Sequence, residues 1–251
     1  MAKTMHAMSP DQETRNRVIV ALDVETRAEA AELVSELGGR AGAFKIGLQL
    51  FTSAGPDVVR EIVTVGHRVF LDLKFHDIPN TAAKAAIEAA RLGVWMLNLH
   101  ALGGRAMMTA VADEVARTCE NEGIDRPLLI GVTALTSSDA ASLSEVGLNS
   151  NVEEQVSALA RLAAASGMDG VVASAREVPG IRRAVEDQSF LTITPGIRSE
   201  FATADDQKRV TTIREAFANG SDYVVVGRPI IRANDRVAAL ESLIDEAGST
   251  N

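Results

Sequence analysis

Apolar segments with the length of β-strands alternate with helical segments eight times along this chain, and this alternation limits the possible folds more than any other feature. The segments are continuously apolar, which is typical of strands whose two faces are both covered. Strict alternation of strand and helix predicts parallel strands joined by right-handed crossovers. The predicted strands cover residues 17–23, 43–47, 67–73, 94–99, 128–133, 170–174, 190–194 and 223–226.

Eight such units in 251 residues predict a single-domain α/β protein with the (β/α)8 TIM-barrel fold. We expect the barrel to span residues 17–251, because no Pro/Gly-rich linker divides that stretch. Residues 1–16 are polar and Met-rich, and we expect a disordered or loosely attached tail. An open flavodoxin-like or Rossmann-like sheet is the alternative fold, although no G-x-G-x-x-G motif follows the first strand. The helices are predicted over residues 26–37, 56–65, 81–92, 104–122, 152–166, 176–186, 211–218 and 235–247.

Charge and composition argue against several classes of function. The net charge of -9 argues against a nucleic-acid-binding protein, which would need a basic face, but permits a local basic pocket for an anionic substrate. No apolar run has the length of a transmembrane helix, and residues 1–16 lack the apolar centre of a secretory signal. The single cysteine, Cys119, fits a reducing cytoplasm. No Cys–His spacing suggests a zinc site, so we expect no metal site.

The stretch DLKFHDIPNT, residues 72–81, follows an apolar strand-like segment and gathers two carboxylates and one ammonium group. Asp72 and Lys74 lie two residues apart, so on a strand their side chains point to the same face. Asp77 follows, and Pro79 favours the start of a helix. Two carboxylates beside one lysine are costly to hold together unless the charges alternate in space, and such clusters are typical of functional sites. The alternative interpretation is an ordinary strand end with a surface salt bridge.

Other polar residues also follow predicted strands, and in a barrel the carboxyl ends of all strands meet at one face. Each has an ordinary interpretation when taken alone: Asp23 as a helix cap, Lys45 as a solvated tip, Arg198 as a surface charge. The glycines and arginines after strands seven and eight indicate a phosphate-binding cradle, because glycine lets backbone N–H groups approach an oxyanion. The collected residues are Asp23, Lys45, Asp72, Lys74, Thr133, Thr136, Gly196, Arg198, Gly227 and Arg228.

These segments together resemble the orotidine 5'-monophosphate (OMP) decarboxylase family, in the right order and over nearly the whole chain. The stretch at residues 72–81 carries the most specific part of the resemblance. The other matching blocks are ALD at 21–23, FKIG at 44–47, VTALTS at 132–137, TPGIR at 194–198, DQ at 206–207 and VGR at 226–228.

The resemblance implies a cofactor-free carbon–carbon lyase that converts OMP to UMP and CO2 as a homodimer with shared active sites. It implies that Lys74 donates a proton to C6 of the pyrimidine, and that Asp72 and the partner subunit's Asp77 hold this lysine. It also implies binding roles for three sets of residues. These are Asp23, Lys45 and Thr81 at the ribose, with Thr81 coming from the partner subunit, Thr136 at the pyrimidine ring, and Arg198, Gln207, Gly227 and Arg228 at the phosphate.

Two alternatives share much of this pattern. A sugar-phosphate decarboxylase of the same barrel superfamily has a similar Asp-x-Lys-x-x-Asp core but uses a magnesium ion. A nucleotide-binding regulator would keep the pocket and lack catalysis. Residues 198–210 are polar and charged, a composition typical of a mobile loop, and we expect them to form a lid.

Overall fold

The computed structural model describes residues 9–136, 138–148, 151–198 and 211–248. Within these residues, eight parallel strands form one closed barrel, and the first and last of them pair with each other. This architecture confirms the predicted (β/α)8 fold. The alternative prediction of an open sheet is wrong. In chain order the barrel strands are β1 Val18–Ala21, β2 Ala43–Gly47, β3 Val69–Phe75, β4 Met96–His100, β5 Leu128–Val132, β6 Gly170–Val172, β7 Leu191–Pro195 and β10 Tyr223–Val226.

Helices fill the connections and surround the barrel. Two further short strands, β8 Ile197–Arg198 and β9 Thr211–Thr212, pair in parallel outside the barrel. The helices are α1 Pro10–Asn16, α2 Arg27–Leu37, α3 Leu48–Ala54, α4 Asp57–Thr64, α5 Pro79–Arg91, α6 Gly104–Glu122, α7 Ala140–Glu145, α8 Val152–Ala164, α9 Val178–Ala184, α10 Ile213–Ala218, α11 Arg228–Ile231 and α12 Arg236–Gly248, with a 3-10 turn at Ala101–Gly103.

The barrel interior is packed with apolar side chains that come from alternate positions on the strands. Trp95 and Tyr223 meet edge to face at 5.2 Å near the amino ends of β4 and β10 and pack against this interior group. Because side chains alternate across a strand, the positions two residues further along each strand also face inward. The interior group consists of Ile19, Ala21, Ala43, Phe70, Met96, Ile130, Ile193 and Val225.

A second apolar layer lies between the strands and the surrounding helices, and local sequence signals set the ends of those helices. Thr26 and Glu29 form a capping box that starts α2. Pro79 occupies the first turn of α5, where its missing N–H costs no helical hydrogen bond. The buried face of α5 consists of alanines, so this helix can approach its neighbours closely. These connections hold the carboxyl ends of the strands at one face of the barrel.

The structure differs from the sequence expectation in the tail and in two connections. Residues 10–16 form α1 rather than a loose tail, because Ser9 caps the helix, Pro10 starts it, and Arg15 pairs with Glu241 of α12. Residues 1–8 lie outside the described residues, so the expected disorder stays a prediction there. The connection after β2 contains α3 and the connection after β5 contains α7, two short helices that are absent from the predicted ranges.

Candidate active site

Three polar side chains face the barrel interior at its carboxyl end. Lys45, Asp72 and Asn98 each follow an interior apolar residue by two positions, on β2, β3 and β4 respectively. Strand β3 pairs with β2, with Gly47 opposite Asp72, and with β4, with Leu71 opposite Leu97. The strands therefore bring the three side chains to one place above the apolar interior.

Four charged residues form a chain of alternating sign at this place. Lys45 Nζ lies 3.1 Å from Asp23 Oδ1 and 3.4 Å from Asp72 Oδ2. Lys74 Nζ lies 2.6 Å from Asp72 Oδ1. The side chains of Lys45 and Asp72 are only 11% and 14% exposed, so this central pair is not a solvated surface salt bridge, whereas Asp23 is 53% exposed. Alternation of sign offsets the repulsion between the carboxylates, and the ordinary strand-end interpretation does not fit this arrangement.

The end of β3 departs from regular strand geometry. Leu71 pairs with Leu97 and Phe75 pairs with Leu99, so three residues of β3 lie opposite the single residue Asn98. Lys74 lies within this bulge at φ 53°. Among the described residues other than glycine, no other has a positive φ. Bulges of this kind re-aim side chains next to functional sites.

Asn98 is a site residue that the sequence interpretation missed. Its Oδ1 accepts a hydrogen bond from the backbone N–H of Lys74 at 2.8 Å, and its Nδ2 donates to Asp72 Oδ1 at 2.7 Å. The side chain is fully buried. An asparagine inside an otherwise apolar strand was the available signal, because a buried polar side chain needs hydrogen-bond partners.

Two adjoining cavities open beside this charged chain. One, of about 160 Å³, is bordered by Asp72, Lys74 and Thr136, and the other, of about 170 Å³, by Arg198 and Arg228. Lys45, Pro195 and Val225 line both, so the two cavities are direct neighbours. Together they reach the lower end of the volume usual for small-molecule sites, roughly 300–1,000 Å³.

The cavity with the two arginines has the features of an anion cradle. Gly196 has φ 82°, a conformation that glycine adopts without strain. A Cβ atom at Gly227 would lie 3.1 Å from Asp23 Oδ2, so a side chain there would crowd the cavity. Gln207 and the predicted lid beyond Arg198 lie outside the described residues.

Asp77 and Thr81 are not brought into these cavities. Both side chains are exposed on the turn and the first helical residues after β3. Asp77 Oδ1 accepts a hydrogen bond from the N–H of Ile78 at 2.7 Å, and Ile78 itself is 67% exposed. Neither Asp77 nor Thr81 is among the residues that line the two cavities.

Two histidines lie against the same end of the barrel. The rings of His76 and His100 are 5.4 Å apart. Burial lowers the pKa of His100, and the nearby His76 and Lys74 lower this pKa further, while Asp72 opposes them. His100 is therefore neutral near pH 7. In the part of the chain that the structure describes, no group of three or more His, Cys, Asp or Glu side chains is placed to hold a metal ion.

Larger cavities lie elsewhere, but their linings do not include the candidate residues. One of about 790 Å³ has a mostly apolar wall from α2 and α4, and one of about 510 Å³ has a polar wall from α8 and α9. Both lie between helices on the outside of the barrel. The candidate active site is therefore identified by the placement of its charged side chains and not by the volume of its cavities.

Comparison with known proteins bears directly on this arrangement. The sequence profile described as "Orotidine 5'-phosphate decarboxylase / HUMPS family" matches residues 16–243. The chain belongs to this family. This membership confirms the resemblance that the motifs indicated. The matched residues include all eight barrel strands.

Individual relatives agree with the family match. Orotidine 5'-phosphate decarboxylase of Syntrophotalea carbinolica is 56% identical over 93% of this chain and 96% of its own length. The protein of the same name from Geobacter sulfurreducens is 51% identical over 95% of this chain and 98% of its own. The crystal structure of orotidine 5'-phosphate decarboxylase from Lactobacillus acidophilus superposes with a TM-score of 0.81 at 38% identity, covering 92% of this chain and 99% of that one.

Proposed function

We propose that this protein decarboxylates OMP to UMP and CO2, the step that completes UMP in pyrimidine biosynthesis. The observation that carries the proposal is the ammonium group of Lys74, which lies 2.6 Å from Asp72 in a cavity next to the one lined by Arg198 and Arg228. The relatives named orotidine 5'-phosphate decarboxylase support the same substrate.

In this proposal the two neighbouring cavities hold the three parts of the nucleotide in order. The phosphate binds at Arg198, Gly227 and Arg228, where charge-assisted hydrogen bonds are available. We propose that Gln207 also binds the phosphate. Asp23 and Lys45 lie between the two ends and contact ribose hydroxyls. The pyrimidine ring lies in the inner cavity beside Lys74 and Thr136.

The chemistry follows from where charge develops. When the bond to CO2 breaks, its electron pair remains on C6, an sp² carbon from which the ring cannot easily delocalise it. The positive charge of Lys74 stabilises this carbanion because it is already in place before the reaction. A proton then moves from Lys74 Nζ to C6, which gives UMP and a neutral amine that solvent reprotonates. Asp72 orients Lys74 and repels the substrate carboxylate until CO2 departs.

The outward position of Asp77 and Thr81 supports a shared site. These residues lie beside the exposed apolar side chain of Ile78, and Leu102 is exposed on the adjacent connection after β4. In a twofold dimer formed through this surface, each subunit's Asp77 and Thr81 enter the other subunit's cavity, at Lys74 and the ribose respectively. Burial of Ile78 and Leu102 in the contact contributes to its stability.

Activity without metal separates this proposal from the magnesium-dependent alternative. We expect the fall in OMP absorbance to proceed at the same rate before and after exhaustive treatment with EDTA, because Lys74 supplies the charge that a metal would supply. The measurement is a spectrophotometric assay of purified protein, with magnesium added back as the control. Loss of activity with EDTA and recovery with magnesium would favour the sugar-phosphate type of enzyme. Tight UMP binding without OMP turnover would instead favour a nucleotide-binding regulator.

Removal of one phosphate-binding cation tests how the substrate is oriented. We expect Arg228→Ala to lower kcat/KM for OMP by about 10- to 100-fold, since a hydrogen bond to a charged group contributes roughly 1.5–3 kcal/mol. Orotidine lacks the phosphate, so its kcat/KM should be unchanged. Arg232→Ala, which removes an exposed arginine just after α11, is the matched control. Equal losses for OMP and orotidine would place Arg228 away from the phosphate.

The location of the protein in the cell stays a prediction. Among the described residues, no helix combines the length and apolar character needed to cross a bilayer. Cys119 is a free, buried thiol. A cytoplasmic enzyme that binds neither membrane nor nucleic acid remains our proposal.

A further inference from the structure

We propose that Asn98 is a positioning residue that holds Lys74 and Asp72 in their reactive arrangement. The inference rests on the proposed function, because it concerns the group that protonates C6. It starts from the bulge at the end of β3, where three residues lie opposite one residue of β4. That single opposing residue is Asn98.

The side chain of Asn98 replaces the ladder hydrogen bond that the bulge removes. The N–H of Lys74 donates to Asn98 Oδ1 at 2.8 Å rather than to a carbonyl of β4. This contact offsets part of the strain of a lysine at φ 53°, a conformation that is unfavourable for residues other than glycine. The left-handed conformation of Lys74 is therefore stabilised by a side chain from the neighbouring strand β4.

The same amide also fixes the carboxylate. Asp72 Oδ1 accepts from both Asn98 Nδ2, at 2.7 Å, and Lys74 Nζ, at 2.6 Å. The orientation of the amide is determined, because turning it over would place an NH2 group against the N–H of Lys74 and an oxygen against the carboxylate. The buried side chain of Asn98 thus fixes both the backbone of Lys74 and the orientation of its counter-ion, Asp72.

Without Asn98, Asp72 can rotate and draw the ammonium group away from C6, and the bulge can relax. The proposed phosphate contacts lie on other strands, and Lys45 at the ribose pairs with Asp23 as well as with Asp72. Misplacement of a reacting group by about 1 Å can cost roughly 100-fold in rate. Asn98 should therefore affect kcat rather than nucleotide affinity.

The first test is Asn98→Ala in the full chain. We expect kcat for OMP to fall by about 10- to 100-fold, while the dissociation constant of UMP changes by less than about threefold. Thr194→Val is the matched control, because it removes a buried hydrogen bond, to Ser221 Oγ, from the barrel strand β7. We expect Thr194→Val to leave kcat within about twofold of the wild-type value.

The second test, Asn98→Asp, keeps an oxygen for the N–H of Lys74 but faces Asp72 with a second carboxyl group. Like charge raises the pKa of the introduced carboxyl group, so it is protonated at low pH and can then donate to Asp72. We expect the ratio of variant to wild-type kcat to rise as the pH falls. This readout decides the proposal if Asn98→Ala does not fold.

The proposal is overturned if Asn98→Ala folds and keeps wild-type kcat, or if kcat and UMP affinity fall in parallel. It is also overturned if the Asn98→Asp ratio is independent of pH. These outcomes are distinct from failure of the proposed function, in which the wild-type protein itself would not consume OMP.

Discussion

Lys74→Ala is expected to reduce kcat for OMP by at least about 10⁴-fold while the protein stays folded and still binds UMP. The substitution removes two contributions at once. A preplaced charge opposite a developing anion is typically worth a factor of about 10²–10³, and a positioned general acid about 10²–10⁴. A factor of 10⁴ corresponds to about 5.5 kcal/mol of transition-state stabilisation.

UMP affinity should change much less than kcat, because the phosphate and ribose contacts do not involve Lys74. Removal of Lys74 leaves Asp72 with Lys45 and Asn98 as partners, so the buried carboxylate is not left without compensation. Thermal unfolding and UMP titration of the variant therefore separate a chemical role from a structural one.

Arg60→Ala is the matched control for loss of a cation. Arg60 is exposed on α4 and pairs with Asp57 one turn away. Exposed pairs of this kind contribute little, so we expect wild-type turnover in this variant. If Lys74→Ala kept more than about a tenth of wild-type kcat, another group would have to supply the proton and the charge.

The sequence was sufficient to predict the barrel fold and to predict that the charged residues at the strand ends lie close together. Continuously apolar strands between helices leave few topologies, and the closed barrel follows from eight of them. Asp72 and Lys74 lie together, as the period of two predicted, but Lys74 reaches Asp72 from a bulge and not from a regular strand. Asp23 and Lys45 joined them because neighbouring strands end together.

The geometry that depends on strand pairing could not be read from the sequence. Nothing in the residues of β3 predicts that its register shifts after Leu71, because the shift is stabilised by Asn98 on another strand. The α1 helix had local signals, Ser9 and Pro10, that a Met-rich composition obscured. The role proposed for Asp77 requires a second subunit, and no pattern within one chain describes a second subunit.

Mixing two inactive variants should restore activity if the subunits share their sites. We expect Lys74→Ala and Asp77→Ala homodimers each to be nearly inactive, since Asp77→Ala removes a carboxylate that holds the partner subunit's lysine. In a mixed dimer, one site receives both substitutions and the other receives neither. Half of the sites in a purified mixed dimer are intact, so recovery should reach about half of wild-type activity in a twofold assembly.

A second mixture provides the matched control. Asp72 and Lys74 bond to each other within one chain, so a dimer of Asp72→Ala and Lys74→Ala subunits has a defect in both sites. We expect no recovery from this mixture. The experiment uses two affinity tags so that mixed dimers are purified before the OMP assay, and subunit exchange is verified by retention of both tags.

The two mixtures together locate Asp77. Recovery with Asp77→Ala but not with Asp72→Ala places Asp77 in the partner subunit's site, consistent with its exposed position beside Ile78. No recovery with either mixture would mean that Asp77 acts in its own subunit, through a movement of the turn before α5. An Asp77→Ala homodimer with wild-type kcat would remove Asp77 from the mechanism altogether and leave the dimer surface without a catalytic purpose.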